Sequence, residues 1–359
     1  MTLVAADRIR ALRRMPMFGD RTNAIATVVL GGGLACLAFL FVRWALVNAI
    51  WTLPPDAGSS LCRAARGEGA CWAVIYERFR FIVLGGYPYE AQWRPALASV
   101  LFILLYVMSA RRAWWTPWLL GPWIALPLSA IVLLRGGVFG LHEVPSEFWG
   151  GLPLTFVLST VGFAAAFPLA VVLALGRRSQ MPAIRVLSVA YIEIVRGVPL
   201  VTFLFMASVM FPLFVSPGVT VDKVLRAQIA FVIVIAAYVA EVVRAGLAAV
   251  PKGQYEAAAS LGLRFWPTTM LVVLPQALRV SIPALVNTFI GFFKDTSLVT
   301  VIGLFDLLGA AKAVIVDPKW VGFGVEVYLF AAAVYFAFCW AVSRYSQHLE
   351  RALLARSHQ

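Results

Sequence analysis

The sequence predicts an all-α, polytopic membrane protein of about eight transmembrane helices, and three observations predict it. Of 359 residues, 62% are hydrophobic and 13% charged, against about 25% charged in soluble domains. Leu152 to Gly176, Ala113 to Leu134 and Gly197 to Val221 contain no charged residue, and about 20 apolar residues cross a bilayer core about 30 Å thick. Finally, the net charge of +13 fits Lys and Arg gathered in cytoplasmic loops, so no nucleic-acid partner is expected.

The elements follow in order. A basic start with Arg8, Arg10, Arg13 and Arg14 leads into an apolar span at 24 to 50, long enough to remain as an anchor instead of being removed as a signal peptide. Further spans are expected at 96 to 110, 113 to 134, 152 to 176, 186 to 214, 226 to 249, 270 to 293 and 324 to 343. The second, only 15 residues long, must borrow Trp93 and Pro95 or stand with little tilt. With the N-terminus inside, the cytoplasmic stretches hold 16 basic residues and the opposite side 11, which places 1 to 23 and the tail 348 to 359 in the cytoplasm.

The loop at 51 to 95 then lies outside, in an oxidising compartment. Cys62 and Cys71, nine positions apart, either close a small disulfide loop there or stay as two thiols, since spacing does not establish the geometry of a bond. Cys36 and Cys339 lie in apolar runs, and His142, His348 and His358 are scattered. No metal site is expected. Arg135 to Gly151, with two Gly pairs and Pro145, reads as a boundary between a module at 24 to 135 and a second at 148 to 347.

Between the sixth and seventh spans, Glu256 to Leu261 is a run of helix formers, with Gly262 placed to stop it in a left-handed turn. It reads as a docking knob on the cytoplasmic side or as an ordinary connection. Glu256-Ala257-Ala258, then Gly262, then Val272, Leu274 and Pro275 resembles the E-A-A-x3-G-x9-I-x-L-P signature of ABC importer permeases, departing only at Val272. The resemblance implies a coupling helix within 251 to 275 that enters a groove of a cytoplasmic ATPase. It also implies a five-helix type I permease core with three extra N-terminal spans.

Other runs resemble the polar amino-acid branch of that family. They are Glu193 to Leu200 with Val198 for Thr, Ala237 to Gly246 with Ala245 for Gly, and Lys294 to Leu298. The extra spans with their outer loop resemble the M-type permease of general L-amino-acid importers. The resemblance implies a bacterial inner-membrane subunit for L-amino-acid import. Its implied partners are a pair of ABC ATPases that bind the ATP, a second permease subunit and a periplasmic amino-acid-binding protein.

Ionisable residues at membrane depth are costly and are functional candidates. Glu193 and Arg196, and again Glu241 and Arg244, stand at i and i+3, where each can pair locally as an anchor or gate. Lys294, Asp295, Thr296 and Ser297 interrupt an apolar run. Polar backbone at that depth lines a cavity or is covered by protein. The quartet therefore lines the substrate path or forms its outer mouth, with Asn287 deeper as a further candidate.

No G-x4-G-K-S/T phosphate loop and no nucleophile-base constellation occurs, so neither a nucleotide site nor an enzyme is expected in this chain. The rival readings are an ion-coupled secondary transporter using Glu193, Glu241 and Asp295, and a non-conducting structural permease partner.

Overall fold

In the computed structural model, residues 20 to 54, 59 to 216 and 220 to 357 are described. The expected cytoplasmic stretch 1 to 23, apart from its last four residues, lies outside them, as do the last two residues of the expected tail 348 to 359. The chain forms two compact units, Met1–Glu77 and Arg78–Gln359.

In the first unit, Asp20 opens α1 (Arg21–Val42) by accepting from the Arg21 amide at 2.7 Å. None of the residues of α1 is buried, as suits a helix whose surroundings are lipid. Beyond it, α2 (Ser60–Ala64) carries Cys62, which is bonded to Cys71 with Cα atoms 5.7 Å apart. Trp72 Nε1 donates to the Ala45 carbonyl at 2.7 Å and its ring stacks on Trp51.

The unit boundary falls within α3 (Ala73–Leu84), and the second unit continues with α4 (Trp93–Ala110), α5 (Leu120–Arg135), α6 (Gly151–Arg177), α7 (Pro182–Gly197), α8 (Leu200–Phe214) and α9 (Lys223–Ala249). It continues with α10 (Lys252–Ser260), α11 (Phe265–Ile302), α12 (Leu307–Ile315) and α13 (Gly324–Ser357). Among the described residues of the chain, seven helices are long and apolar enough to span a membrane, or eight if the bent pair α7 and α8 is one span.

Helix α9 is the centre of this unit, packed against α6 along its length and against α11. Small residues make that possible. Ala227, Ala230, Ala236, Ala237, Ala240 and Gly246 are all buried on α9, and a Cβ on Gly246 would come within 2.6 Å of the Ala277 carbonyl of α11. Where lipid tails replace water, such close approach is what holds helices together.

Several expected boundaries shift. The span expected at 186 to 214 is not one helix: α7 and α8 meet at 96°, because Pro199 has no amide hydrogen to continue the ladder and Val198 is forced into extended backbone. The short second span does borrow its outer residues and starts at Trp93. The helical path expected to end at 293 runs on through Lys294 and Asp295 and tightens into a narrower turn over Thr296–Ile302.

Helix α4, from the module expected at 24 to 135, enters the core of the later helices. Tyr106 packs against Phe156, Phe289 and Phe338 and shares a short hydrogen bond with Thr160. At the other end of α4, Arg94 is 2% exposed and donates to the carbonyls of Leu133 at 2.6 Å and His142 at 2.9 Å. A cation there satisfies the orphan carbonyls that close α5.

On the same side, Gly150 and Gly151 pair with the two-residue strand β1 (Phe305–Asp306). Asp306 is fully buried and accepts from the Gly309 amide at 2.9 Å and the Tyr335 hydroxyl at 2.8 Å. Burial pushes its carboxyl up, against the pull of these hydrogen bonds.

Candidate functional site

The short helix expected at Glu256 to Leu261 is α10, set between the apolar helices α9 and α11. Its end is closed by two reverse bonds, Gly262 N–H to the Ala259 carbonyl at 2.9 Å and Leu263 N–H to the Ala258 carbonyl at 3.1 Å. Such a closure needs left-handed backbone at its pivot, and Gly262 has φ +73°. Glu256 and Ala257 are exposed, while Ala258 is buried against the body of the unit.

Leu261, Phe265 and Trp266 stand around that turn with 79%, 67% and 61% of their surfaces exposed. Together they form an exposed apolar patch at the end of α10. None of the three belongs to the residues expected from the sequence, although Phe265-Trp266 after the glycine is a readable signal. Leu274 and Pro275 lie where α11 leaves a widened turn at Thr268–Val273 and becomes a regular helix. Gln276 Nε2 donates to Gln254 Oε1 at 3.0 Å, which ties α11 to α10.

The charges near α10 pair differently from the expectation. Glu241 and Arg244 do pair locally, with Arg244 Nε and a terminal nitrogen at 2.8 and 2.6 Å from one carboxylate oxygen. Glu193 and Arg196 do not pair. Glu193 faces Arg177 of α6 at 2.9 Å, and the Arg196 guanidinium lies over the Tyr238 ring, 5.4 Å from its centre. The i, i+3 spacing permitted a contact, but partners on α6 and α9 took both side chains.

Arg177 also lies 3.2 Å from Glu241, so one guanidinium joins α6, α7 and α9. Its neighbour Arg178 lies over the Tyr255 ring of α10 at 6.0 Å. The sequence showed Arg177 only as one basic residue in a loop, because nothing local marks a partner that arrives from another helix.

Above this cluster is a cavity of about 240 Å³ lined by Leu200, Val234, Tyr238, Thr288, Gly291 and Asp295, with Phe292. Of the expected quartet, Asp295 lines it, while Lys294 is exposed beside it. Thr296 is buried and donates to the Phe293 carbonyl at 2.8 Å, and the Ser297 carbonyl accepts from Thr300 at 2.9 Å. Asn287 is exposed on α11 two turns before Asp295. Tyr238 and Thr288 are cavity residues that sequence reading did not select. Among the described residues, no group of three or more His, Cys, Asp or Glu side chains could hold a metal ion.

Residues 166–354 match the family described as binding-protein-dependent transport system inner membrane component. The chain is 44% identical to the inner membrane amino-acid ABC transporter permease protein YhdY of Escherichia coli, covering 94% of this chain and 91% of that protein. It is 39% identical to the glutamate/glutamine/aspartate/asparagine transport system permease protein BztC of Rhodobacter capsulatus, over 96% and 94% of the two. A crystal structure of an amino acid ABC transporter with histidines is 32% identical at a TM-score of 0.50, covering 56% of this chain and 92% of that one.

Proposed function

Because the chain belongs to the family of binding-protein-dependent transport inner membrane components, as a multi-pass permease subunit of an amino-acid importer, we propose that α10 couples it to a separate cytoplasmic ATPase. The observation that carries this reading is the form of α10: a short helix outside the spans, closed at Gly262, with exposed Glu256 and the apolar side chains of Leu261, Phe265 and Trp266 beside it. Those apolar residues seat in a groove of the ATPase and Glu256 meets a basic residue there. Tyr255, under Arg178, transmits its displacement to the Arg177 cluster at the ends of α6, α7 and α9.

The cavity between Tyr238 and Asp295 is this subunit's half of the path. The Asp295 carboxylate suits the ammonium of an amino acid, and Thr288 offers a hydroxyl to orient it. A second permease subunit supplies the other half, and a periplasmic binding protein delivers the substrate. Polar amino acids, with acidic and amide side chains as in the name of BztC, are the proposed cargo. The excess of basic residues on one side supports a cytoplasmic N-terminus, α10 and C-terminal tail.

Proteoliposomes holding the whole complex test the reading. With ATP inside and no ion gradient, the natural complex takes up amino acid, and Glu256→Lys reduces uptake at least about tenfold while the chain stays in the membrane. Asp295→Ala keeps basal ATP hydrolysis and loses uptake. Uptake that needs an ion gradient, or that survives Glu256→Lys, would sink the coupling role. Unchanged uptake in Asp295→Ala would remove the cavity from the path.

A further inference from the structure

Helix α4 precedes residues 166–354, the stretch that matches the family, yet it reaches the helix that lines the Tyr238 cavity. Pro283 lies inside α11, and a proline there removes a backbone hydrogen bond and weakens the helix at that point. Before Pro283, α11 is tied to α10 through Gln276 and Gln254. Beyond it come Thr288 and Asp295, which line the cavity. The setting of this second stretch is left to its neighbours.

On the cavity side little restrains it. Thr288, Gly291 and Asp295 border about 240 Å³ of space, and a Cβ on Gly291 would meet no atom within 4 Å. On another face Phe289 and Phe293, one turn apart, enter the aromatic core. Phe293 stacks on Phe338 with centroids 4.0 Å apart and lies against Tyr335, whose hydroxyl is held by Asp306. Phe289 meets Phe163 edge-on at 5.5 Å, Tyr106 of α4 at 5.9 Å and Phe338 at 6.5 Å.

Of those three rings, that of Tyr106 alone carries a polar group. Its hydroxyl shares the short hydrogen bond with Thr160, which is fully buried within Val157–Val161, a turn where α6 widens. Widened turns of this kind are frequent at functional sites. At membrane depth no water replaces such a bond. We propose that Tyr106 is a positioning residue for transport: the bond to Thr160 fixes its ring against Phe289 and so sets the angle at which α11 presents Thr288 and Asp295 to the substrate. Packing alone would need the ring and not the hydroxyl, because phenylalanine fills the same space. The inference rests on the cavity being the path, but the setting of α11 is measurable apart from it.

The whole complex in proteoliposomes, with Thr288→Cys as a reporter, gives the rate at which a water-soluble maleimide alkylates position 288, read on its peptide by mass spectrometry. Tyr106→Phe is expected to change that rate about fivefold, the effect of one lost hydrogen bond on a conformational equilibrium. Thr160→Val should do the same, and the double variant should match either single one, since both remove one bond. Lost stability alone lowers the amount of folded complex but not the rate at this position. Gly291→Cys, at open space, is a second reporter should the first disturb folding. With Thr288 restored, Tyr106→Phe should lower uptake several-fold. Unchanged alkylation, additive effects of the two variants, or changed alkylation with full uptake overturns the proposal. The path reading fails on a different result, unchanged uptake in Asp295→Ala.

Discussion

Arg177 and Glu241 lie 3.2 Å apart, and the pair ties α6 to α9 beside the helix that leaves the membrane region. Arg177 also holds Glu193 of α7 at 2.9 Å. The side chains of Arg177 and Glu241 are each 24% exposed, so their charges are partly desolvated, whereas Glu193 is 55% exposed. Arg177→Gln leaves Glu241 with Arg244 alone and is expected to cost about 1–3 kcal/mol. Glu193→Gln removes a largely solvated contact and should cost about 0–1 kcal/mol. Melting curves of the purified protein in detergent rank the two, and an equal or reversed ranking would mean that Arg177 is not the hub.

A pH dependence is expected from Tyr87. Its hydroxyl donates to the Leu134 carbonyl at 2.8 Å, and burial pushes the phenol up to about 12, with nearby Arg94 pulling the other way. The folded state therefore prefers the neutral phenol more than the unfolded chain does, where a tyrosine titrates near 10. The contribution is complete below about pH 10 and is lost as pH rises toward about 12. Tyr87→Phe should cost about 1 kcal/mol at neutral pH and flatten the alkaline fall of the melting temperature. Parallel alkaline curves for the two proteins would refute the assignment.

The disulfide in the first unit gives a third expectation. Cys62 and Cys71 close a loop of about ten residues, for which chain-entropy arguments give roughly 2–3 kcal/mol. The bond stands beside the Trp51 and Trp72 stack and the Trp72 to Ala45 hydrogen bond. Cys62→Ser should open this loop to limited proteolysis while leaving the second unit intact. Alkylation of the denatured, unreduced natural protein should label Cys36 and Cys339 alone; labelling at Cys62 and Cys71 as well would show that the bond is absent.

What could be read in advance divides along physical lines. Spans were legible because length and apolarity are properties of a single segment, and α10 was legible because its stop signal, Gly262, follows directly in the same run of sequence. The local pair Glu241 and Arg244 was legible for the same reason. The choice of Arg177 by Glu193, the turning of Arg196 onto Tyr238 and the entry of Tyr106 into the aromatic core depend on which helices become neighbours. No spacing within one helix encodes that. The break between α7 and α8 was half legible: Pro199 announced a disturbance, but no residue type states the 96° at which the halves meet.

Gly262 allows the coupling reading to be tested through backbone conformation alone. Its φ of +73° suits glycine, and a Cβ built there meets no atom within 4 Å. A substitution at this position therefore acts through the torsion angle and not through a clash. An L-residue with a β-carbon pays about 1–2 kcal/mol to hold left-handed backbone, which is comparable to the two reverse bonds that close α10. Gly262→Ala should let the end of α10 unwind and misplace Leu261 and Phe265, lowering uptake several-fold while ATP hydrolysis by the complex loses its dependence on substrate. Asparagine tolerates the left-handed region better than alanine, so Gly262→Asn should recover much of the uptake despite its larger side chain. If Asn is instead worse than Ala, size at the ATPase surface decides the defect, and the turn is a contact point rather than a conformational pivot.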